Sequence, residues 1–436
     1  MTFIKQLVKQ IFQYEARLIL KKYAPHIIAI TGSVGKTTTR DAIYAVMSKI
    51  FFVRKSEKSF TTELGIPLTI IGCSYGTGTV WQWIKNMCIG LRLLFKREQY
   101  PHWLILEIDG DKPGDFAALS DWFHPNILVV TAIGEIPAHV ESFGTVEQLI
   151  TEKKVLLNTV LRDGMVVYNI DDTLTSQLVT DTELKKISCG IAIECDIRGS
   201  IFSVLYSTTK EKQIPTGMTF NITTRADGPK EKNTVTFFDS LGVHAEYASL
   251  IAYAVGRELG LAHENMIASL NQYKTLPGRM EIISGVKDTI IIDDSYNASP
   301  VAMQESLQIF NSLTTSLRKV AVVGDMFELG KYSVEEHKKI AGFLTDTAYV
   351  IAVGIRMRGM VEELLSRGFD GERVISVDTA EQAGEDLQKI LVAGDIVFVK
   401  GSQAMRMERV VRDVMRHPED APKLLVRQEP EWLSRD

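Results

Sequence analysis

Residues 1–23 repeat apolar side chains at spacings of three and four: Phe3, Ile4, Leu7, Val8, Ile11, Phe12, then Leu18 and Ile19. That period predicts an amphipathic helix. Its other face is basic, with Lys5, Lys9, Arg17, Lys21 and Lys22 opposed only by Glu15, and Pro25 closes the segment. The pattern then changes. Residues 26–30 (HIIAI) are a short apolar run stopped by Thr31-Gly32, as in a strand buried on both faces of a parallel sheet. Helical spacing resumes over 40–50. Residues 80–98 form a second basic amphipathic stretch, with Val80, Trp81, Trp83, Ile84, Met87, Leu91, Leu94 and Phe95 set against Lys85, Arg92, Lys96 and Arg97. Such helices suit an anionic lipid interface, and they equally suit packing on the protein or on each other.

Residues 103–106, 126–131 and 165–168 are further apolar runs of strand length, and strands separated by helical stretches predict an α/β unit with a parallel sheet. Between 197 and 238 short alternating runs lie among Gly, Pro and Lys clusters, predicting an antiparallel appendage. An Ala-rich helix follows over 244–260. A boundary is expected at Leu276-Pro277-Gly278. Four more buried strands beyond it, at 289–292, 320–323, 350–353 and 396–399, predict a second doubly wound unit. The expected organisation is therefore a helix over 1–25, a central α/β domain over 26–276 and a Rossmann-like domain over 277–436. The polar residues from His417 onward are expected to be loosely held.

Composition narrows the classes. A length of 436 residues fits roughly three domains. A hydrophobic share of 45% and a charged share of 24% exclude a disordered or fibrous chain. The net charge of −5 gives no overall attraction to nucleic acid. Cys73, Cys88, Cys189 and Cys195 match neither a zinc spacing nor a disulfide framework, so a reducing cytoplasm is expected. There is no apolar run long enough to span a bilayer and no signal-peptide pattern at the start.

The strongest chemical signal follows the first strand: Ile30-Thr31-Gly32-Ser33-Val34-Gly35-Lys36-Thr37-Thr38-Thr39, opening a helix. Glycines let backbone N–H groups close on phosphate oxygens, and a helix N-terminus adds positive potential. In that setting Gly32, Ser33, Gly35 and Thr38 would cradle phosphate, Lys36 would reach the β- and γ-phosphates, and the Thr37 hydroxyl would sit on Mg²⁺. A full-length P-loop has Gly six positions before the Lys, where this chain has Ile30, so the loop is a shortened form. By itself it indicates a nucleoside triphosphate and does not separate hydrolase, kinase and ligase.

Further strings make the chain resemble the Mur ligase superfamily, most closely its MurF branch, from about residue 27 to 412. They are Glu63-Leu64-Gly65-Ile66-Pro67-Leu68-Thr69; Glu107 followed by Gly110 and Pro113-Gly114; and His139-Val140-Glu141-Ser142-Phe143-Gly144. Leu276-Pro277-Gly278-Arg279-Met280-Glu281, Asp293-Asp294-Ser295-Tyr296-Asn297-Ala298, and Gly324-Asp325-Met326-Phe327-Glu328-Leu329-Gly330 with His337 follow in order. Lys400-Gly401-Ser402 with Met405-Arg406-Met407-Glu408 closes the series. The resemblance implies an ATP-dependent amide ligase working through an acyl phosphate, adding D-Ala-D-Ala or a similar amine to a cell-wall peptide precursor. A ligase of the folylpolyglutamate or poly-γ-glutamate type is the alternative. It also implies two Mg²⁺ ions, one on Thr37 and Glu107 and one on His139. Lys153, fourteen positions after that His, would be a carbamylated metal-binding lysine. Arg279 would contact the γ-phosphate and Asp294 the ribose. Asn297, Lys400 and Arg406 would lie near substrate.

The chain departs from the branch in three places. A typical relative has a substrate-nucleotide domain of roughly a hundred residues before the loop. Here one basic helix precedes it, so another route of substrate recognition is expected. The branch's His-Asn-x-x-Asn string reads His244-Ala245-Glu246-Tyr247-Ala248, which predicts looser selection of the nucleotide base. Thr131-Ala132 stands for its Thr-Asn, and Thr61-Thr62-Glu63 for its Asn-Asn-Glu, with no phosphate or metal group lost.

Overall fold

The computed structural model describes residues 2–56, 64–73, 79–110, 112–137, 140–209, 212–225 and 233–434. Two sheets organise them. The first contains β1 (His26–Thr31), β2 (Val53–Lys55), β3 (Trp103–Glu107), β4 (Ile127–Val130), β5 (Met165–Asn169), β6 (Lys185–Gly190), β7 (Ile197–Thr209), β8 (Lys212–Thr224) and β9 (Thr234–Phe238). Its order is β2-β3-β1-β4-β5-β6-β7-β8-β9. Pairing is parallel from β2 to β7, and β8 and β9 add on antiparallel. The expected antiparallel segment is therefore not a separate appendage. Parallel pairing of Cys189 with Ile197 splices it onto the edge of the same sheet.

The second sheet contains β10 (Glu281–Ser284), β11 (Ile290–Asp294), β12 (Lys319–Gly324), β13 (Tyr349–Val353), β14 (Val374–Val377) and β15 (Ile396–Lys400). Its order is β10-β11-β15-β12-β13-β14, parallel except for the β10–β11 pair. The four apolar runs are its buried strands. Two more strands escape the pattern because they lie at the edges, where β14 is only half-buried along its length.

Both sheets are covered on both faces, which is why their central strands are apolar at every position. In β1, Ile28 and Ile30 enter one core and Ile27 and Ala29 the other. Helix α1 (Thr2–Tyr23) sends Val8, Phe12, Ala16 and Ile19 into the second of these cores, a seam at spacings of four, four and three. Helix α2 (Lys36–Met47) starts at the loop after β1, and α3 (Gly65–Ile71) and α4 (Val80–Phe95) lie on the α1 side. The chain beyond His417 is anchored rather than loose. Arg427 is buried, donates to the Ser295 and Tyr296 carbonyls and pairs with Glu408 at 2.8 Å. Among the described residues no helix is long and apolar enough to cross a membrane.

Candidate functional site

In parallel sheets ligands collect beyond the carboxyl ends of the strands. Here the ends of β1, β3, β11 and β15 face one cleft of about 340 Å³. The first sheet contributes Ser33, Val34, Gly35, Lys36, Thr37, Glu107 and Asp109. The second contributes Arg279, Asp294, Tyr296, Asn297, Lys400 and Gln403.

The loop after β1 has its shape for local reasons. Gly35 has φ +84° at the start of α2, where an L side chain would be strained. Gly32 has φ +144°, and a Cβ there would lie 2.0 Å from the Thr131 hydroxyl oxygen. The backbone N–H groups of Ser33 and Val34 donate to the Ala132 carbonyl at 2.7 and 3.1 Å. This bond uses only the backbone of residue 132, so alanine in place of the branch's asparagine leaves it intact.

Lys36 is buried, donates to the Gly32 carbonyl at 2.8 Å and pairs with Asp109 at 2.8 Å. Burial alone would lower its pKa, but Asp109 and Glu107 outweigh it and hold the ammonium above the usual lysine value. The Thr37 hydroxyl lies 3.0 Å from both Glu107 carboxylate oxygens, and Arg40 approaches the same carboxylate at 3.4 Å. Burial pushes the Glu107 carboxyl above the ordinary range against the pull of Lys36, Arg40 and Thr37. A hydroxyl and a buried carboxylate converging at the foot of a phosphate loop fit a hard divalent cation.

Behind the loop, Lys153 is buried on the helix Val146–Asn158, 3.3 Å from the Thr31 hydroxyl and above the Phe116 ring. Burial lowers its pKa to about 8, with Asp109 resisting and Lys36 assisting. Its neighbour Lys154 points to solvent, 3.6 Å from Asp181. His139 and the 61–63 string lie outside the described residues.

Across the cleft, Asp294 and Lys400 are register partners at the ends of β11 and β15 and pair at 2.6 Å. Ser306 donates to the same Asp294 oxygen at 2.6 Å, and Lys400 also donates to the Asn297 carbonyl. The Arg279 guanidinium stacks 4.0 Å from the Tyr296 ring centroid, and its Nε has no hydrogen-bond partner among the described residues. His244 also lines the cleft. Burial together with Lys400 and Arg279 lowers its pKa to about 3, so the ring is neutral, and its Nε2 is without a partner among the described residues. A wider cavity of about 640 Å³ lies at the start of the helix Val243–Glu258, which carries His244, and is lined by Val243, Glu246, Tyr247, Glu305 and Ile309 among others.

The structure thus brings Gly35, Ser33, Lys36, Thr37, Glu107, Arg279, Asp294, Asn297 and Lys400 to one cleft. Gly32 and Thr38 shape the loop and helix around them, and Lys153 stands behind. Arg406 is placed elsewhere. It pairs with Glu408 at 2.6 Å, donates to the Trp432 carbonyl and is not part of the cleft lining. The sequence reading did not select Asp109 or Tyr296 as site residues. Asp109 stands two residues beyond Glu107, past the strand end, and that position at a sheet edge was the available signal.

The family model of the Mur ligase middle domain matches residues 30–256, and that of the Mur ligase glutamate ligase domain matches 278–403. The UDP-N-acetylmuramoyl-tripeptide--D-alanyl-D-alanine ligase of Bacillus subtilis is 26% identical over 408 residues, covering 93% of this chain and 79% of the relative. The enzyme of the same name from Escherichia coli is 24% identical, covering 91% and 78%. Among solved structures, MurF ligase from Thermotoga maritima in complex with ADP superposes with a TM-score of 0.71 at 24% identity, covering 93% of this chain and 83% of that one. Folylpolyglutamate synthase from the same organism gives 0.56 at 14%, covering 96% and 95%.

Proposed function

The chain belongs to the Mur ligase family, and we propose that it is an ATP-dependent amide ligase joining D-Ala-D-Ala, or a similar amine, to the carboxylate of a cell-wall peptide precursor. One observation carries this reading. The phosphate loop with Lys36, Thr37 and Glu107 on the first sheet faces Arg279, Asp294 and Lys400 on the second across a single cleft. A nucleotide held by both sheets presents its γ-phosphate to a carboxylate between them.

A carboxylate is a poor acyl donor until one oxygen becomes part of a leaving group. Its oxygen attacks the γ-phosphorus and ADP departs. The amine nitrogen then attacks the acyl carbon of the acyl phosphate, loses a proton and expels inorganic phosphate. Lys36, held charged, neutralises the β- and γ-phosphates as the two anions meet. Arg279, whose buried Nε has no hydrogen-bond partner among the described residues, is assigned to the γ-phosphate. Asp294 is assigned to the ribose, held in place by Lys400 and Ser306. Asn297 and Lys400 form the wall nearest substrate. The placement of Arg406 supports an anchoring role in the C-terminal segment rather than substrate contact.

Thr37 and Glu107 would hold one Mg²⁺, and His139 with Lys153 a second. When bound, such ions supply Lewis-acid neutralisation of the phosphate oxygens. Lys153 is assigned to a carbamate. Its neutral amine adds to CO₂ and loses a proton, giving an anionic N-carboxylate at a buried position within electrostatic reach of Lys36. The apolar and phenolic walls formed by Val243, Ile309 and Tyr247 are assigned to the nucleotide base. With Glu246 and Tyr247 replacing the branch's pattern, other purine triphosphates should substitute for ATP. The reaction is placed in the cytoplasm, with no nucleic-acid partner.

The folylpolyglutamate reading is weaker, because the ordered strings from 276 to 408 are those of the MurF branch. Purified chain, ATP and Mg²⁺ with a panel of carboxylates test both. ADP release with a cell-wall peptide carboxylate should depend on added D-Ala-D-Ala. Release with a folate and glutamate instead would transfer the assignment. Amine-independent release with every carboxylate would remove the ligase reading.

A further inference from the structure

Helix α4 is apolar on two faces. Its inner face, with Trp83, Met87 and Leu94 around Leu93, packs into the core of the first sheet. Glu15 of α1 lies against Gly90, where a Cβ would come 2.2 Å from its carboxylate oxygen. Lys22 donates to the carbonyls of Leu93, Leu94 and Lys96 at 2.7 to 2.9 Å and so caps the end of α4. The inner contacts therefore hold α4 rigidly on the body of the protein.

The outer face is different. Trp81, Ile84, Cys88, Leu91 and Phe95 recur at spacings of three and four, and all are exposed. Trp81 and Phe95, at its two ends, are 82% and 85% exposed. Successive residues turn 100°, so these five fall within one narrow stripe down the 16-residue helix. Beside the stripe stand the exposed Lys85 and Arg92 on the helix and the exposed Lys96 and Arg97 just past its end. Together 2–23 and 79–98 hold nine basic residues against two acidic ones, in a chain whose net charge is −5. Of the two acids, Glu15 is buried and Glu98 is bridged to Arg92.

We propose that α4, braced by α1, docks the chain on an anionic lipid bilayer, with the Trp81–Phe95 stripe entering the headgroup boundary and the flanking cations meeting lipid phosphates. Two observations select this occupant. The basic rim is complementary to an anionic surface and opposite in sign to the protein as a whole. The apolar stripe is one helix wide and ends in large aromatic side chains, the shape of an interfacial helix lying flat. With no spanning helix among the described residues, attachment is peripheral and reversible.

Flotation of the full chain on vesicles of phosphatidylcholine alone, and of phosphatidylcholine with roughly a third phosphatidylglycerol, tests this at low and high salt. The chain should float only with the anionic vesicles, and high salt should reduce that binding. Trp81→Ser with Phe95→Ser should cut binding at least about tenfold, and so should Lys85→Gln with Lys96→Gln and Arg97→Gln. Unchanged circular dichroism melts would show that these surface variants fold. As a single-residue readout, vesicles should blue-shift the emission of the wild type and not of Trp81→Phe. Failure of the wild type to bind anionic vesicles at low salt would overturn the proposal. So would lipid binding that neither variant set weakens. A dimer that Trp81→Ser with Phe95→Ser converts to monomer, without change in vesicle binding, would assign the stripe to a second copy instead.

Discussion

The nucleotide cleft and the α1–α4 junction draw on the same sheet but treat buried charge differently. In the cleft each buried ion faces its opposite: Lys36 meets Asp109, Glu107 meets Thr37 and Arg40, and Asp294 meets Lys400. At the junction the buried Glu15 carboxylate keeps one oxygen without a hydrogen-bond partner among the described residues, while Arg17, Lys21, Lys85 and Arg92 are exposed. Burial raises the Glu15 pKa to about 7. Paired buried charges stand ready to be redistributed when a triphosphate arrives. A lone buried carboxyl is a cost to folding that grows when it ionises. The comparison separates groups kept for chemistry from a group that is a consequence of packing.

The sharpest way to break this contrast is Lys36→Ala. Turnover should fall by about 10³-fold with the fold retained, since the ammonium serves phosphate charge. Wild-type ADP release from the purified variant would refute the loop assignment. Next, Lys153→Ala should lose about 10²-fold in rate, the effect expected when metal support is removed. A small added carboxylic acid should restore part of it, and CO₂-depleted buffer should slow the wild type and not the variant. Retention of full activity by Lys153→Ala would place Lys153 outside the chemistry.

At the junction, Glu15→Gln tests folding rather than catalysis. The folded pKa of about 7 lies above the unfolded value near 4.5, so the folded state binds the extra proton between those limits. Wild-type stability therefore falls as pH rises through that window. The Gln variant should be more stable by about 2 kcal/mol above pH 7, after allowance for solvent screening, and the gain should vanish below about pH 4.5. Chemical denaturation of both proteins across pH measures it, and a pH-independent difference would contradict the assignment. The smallest effect belongs to Lys154→Ala. Its amine is exposed beside Asp181 and is not part of the cleft lining, so stability should change by less than about 0.5 kcal/mol, with activity intact.

Much of this was legible because it is local. A strand, a turn requiring glycine and a helix start fall within 26–40, so the phosphate loop can be read without its surroundings. Glu107 follows from its position at the end of a buried strand. Asp109 offered only its place two residues past the end of β3, because its role depends on Lys36, which follows the neighbouring strand β1. The outer face of α4 was unreadable for another reason. Trp81, Trp83, Ile84, Met87, Leu91, Leu94 and Phe95 all belong to one apolar stretch, and a helix that is greasy on two sides has no period that marks the inner one. The tail after His417 looked loose because its composition is polar. Its attachment rests on the buried guanidinium of Arg427, on Arg406 donating to the Trp432 carbonyl, and on Ala421 and Leu425 in the core of the second sheet.

That guanidinium has a thermodynamic consequence. Arg427 grips the carbonyls of Ser295 and Tyr296, and Tyr296 forms part of the cleft wall and stacks under Arg279. Occupancy of the cleft and attachment of the last residues are thus two equilibria sharing one segment of backbone. Linkage makes their coupling reciprocal. A ligand that fixes Tyr296 disfavours release of the tail, and loss of the tail's attachment weakens the ligand by the same free energy. Susceptibility of the C-terminus to a carboxypeptidase then becomes a reporter of nucleotide occupancy, read far from the phosphates themselves.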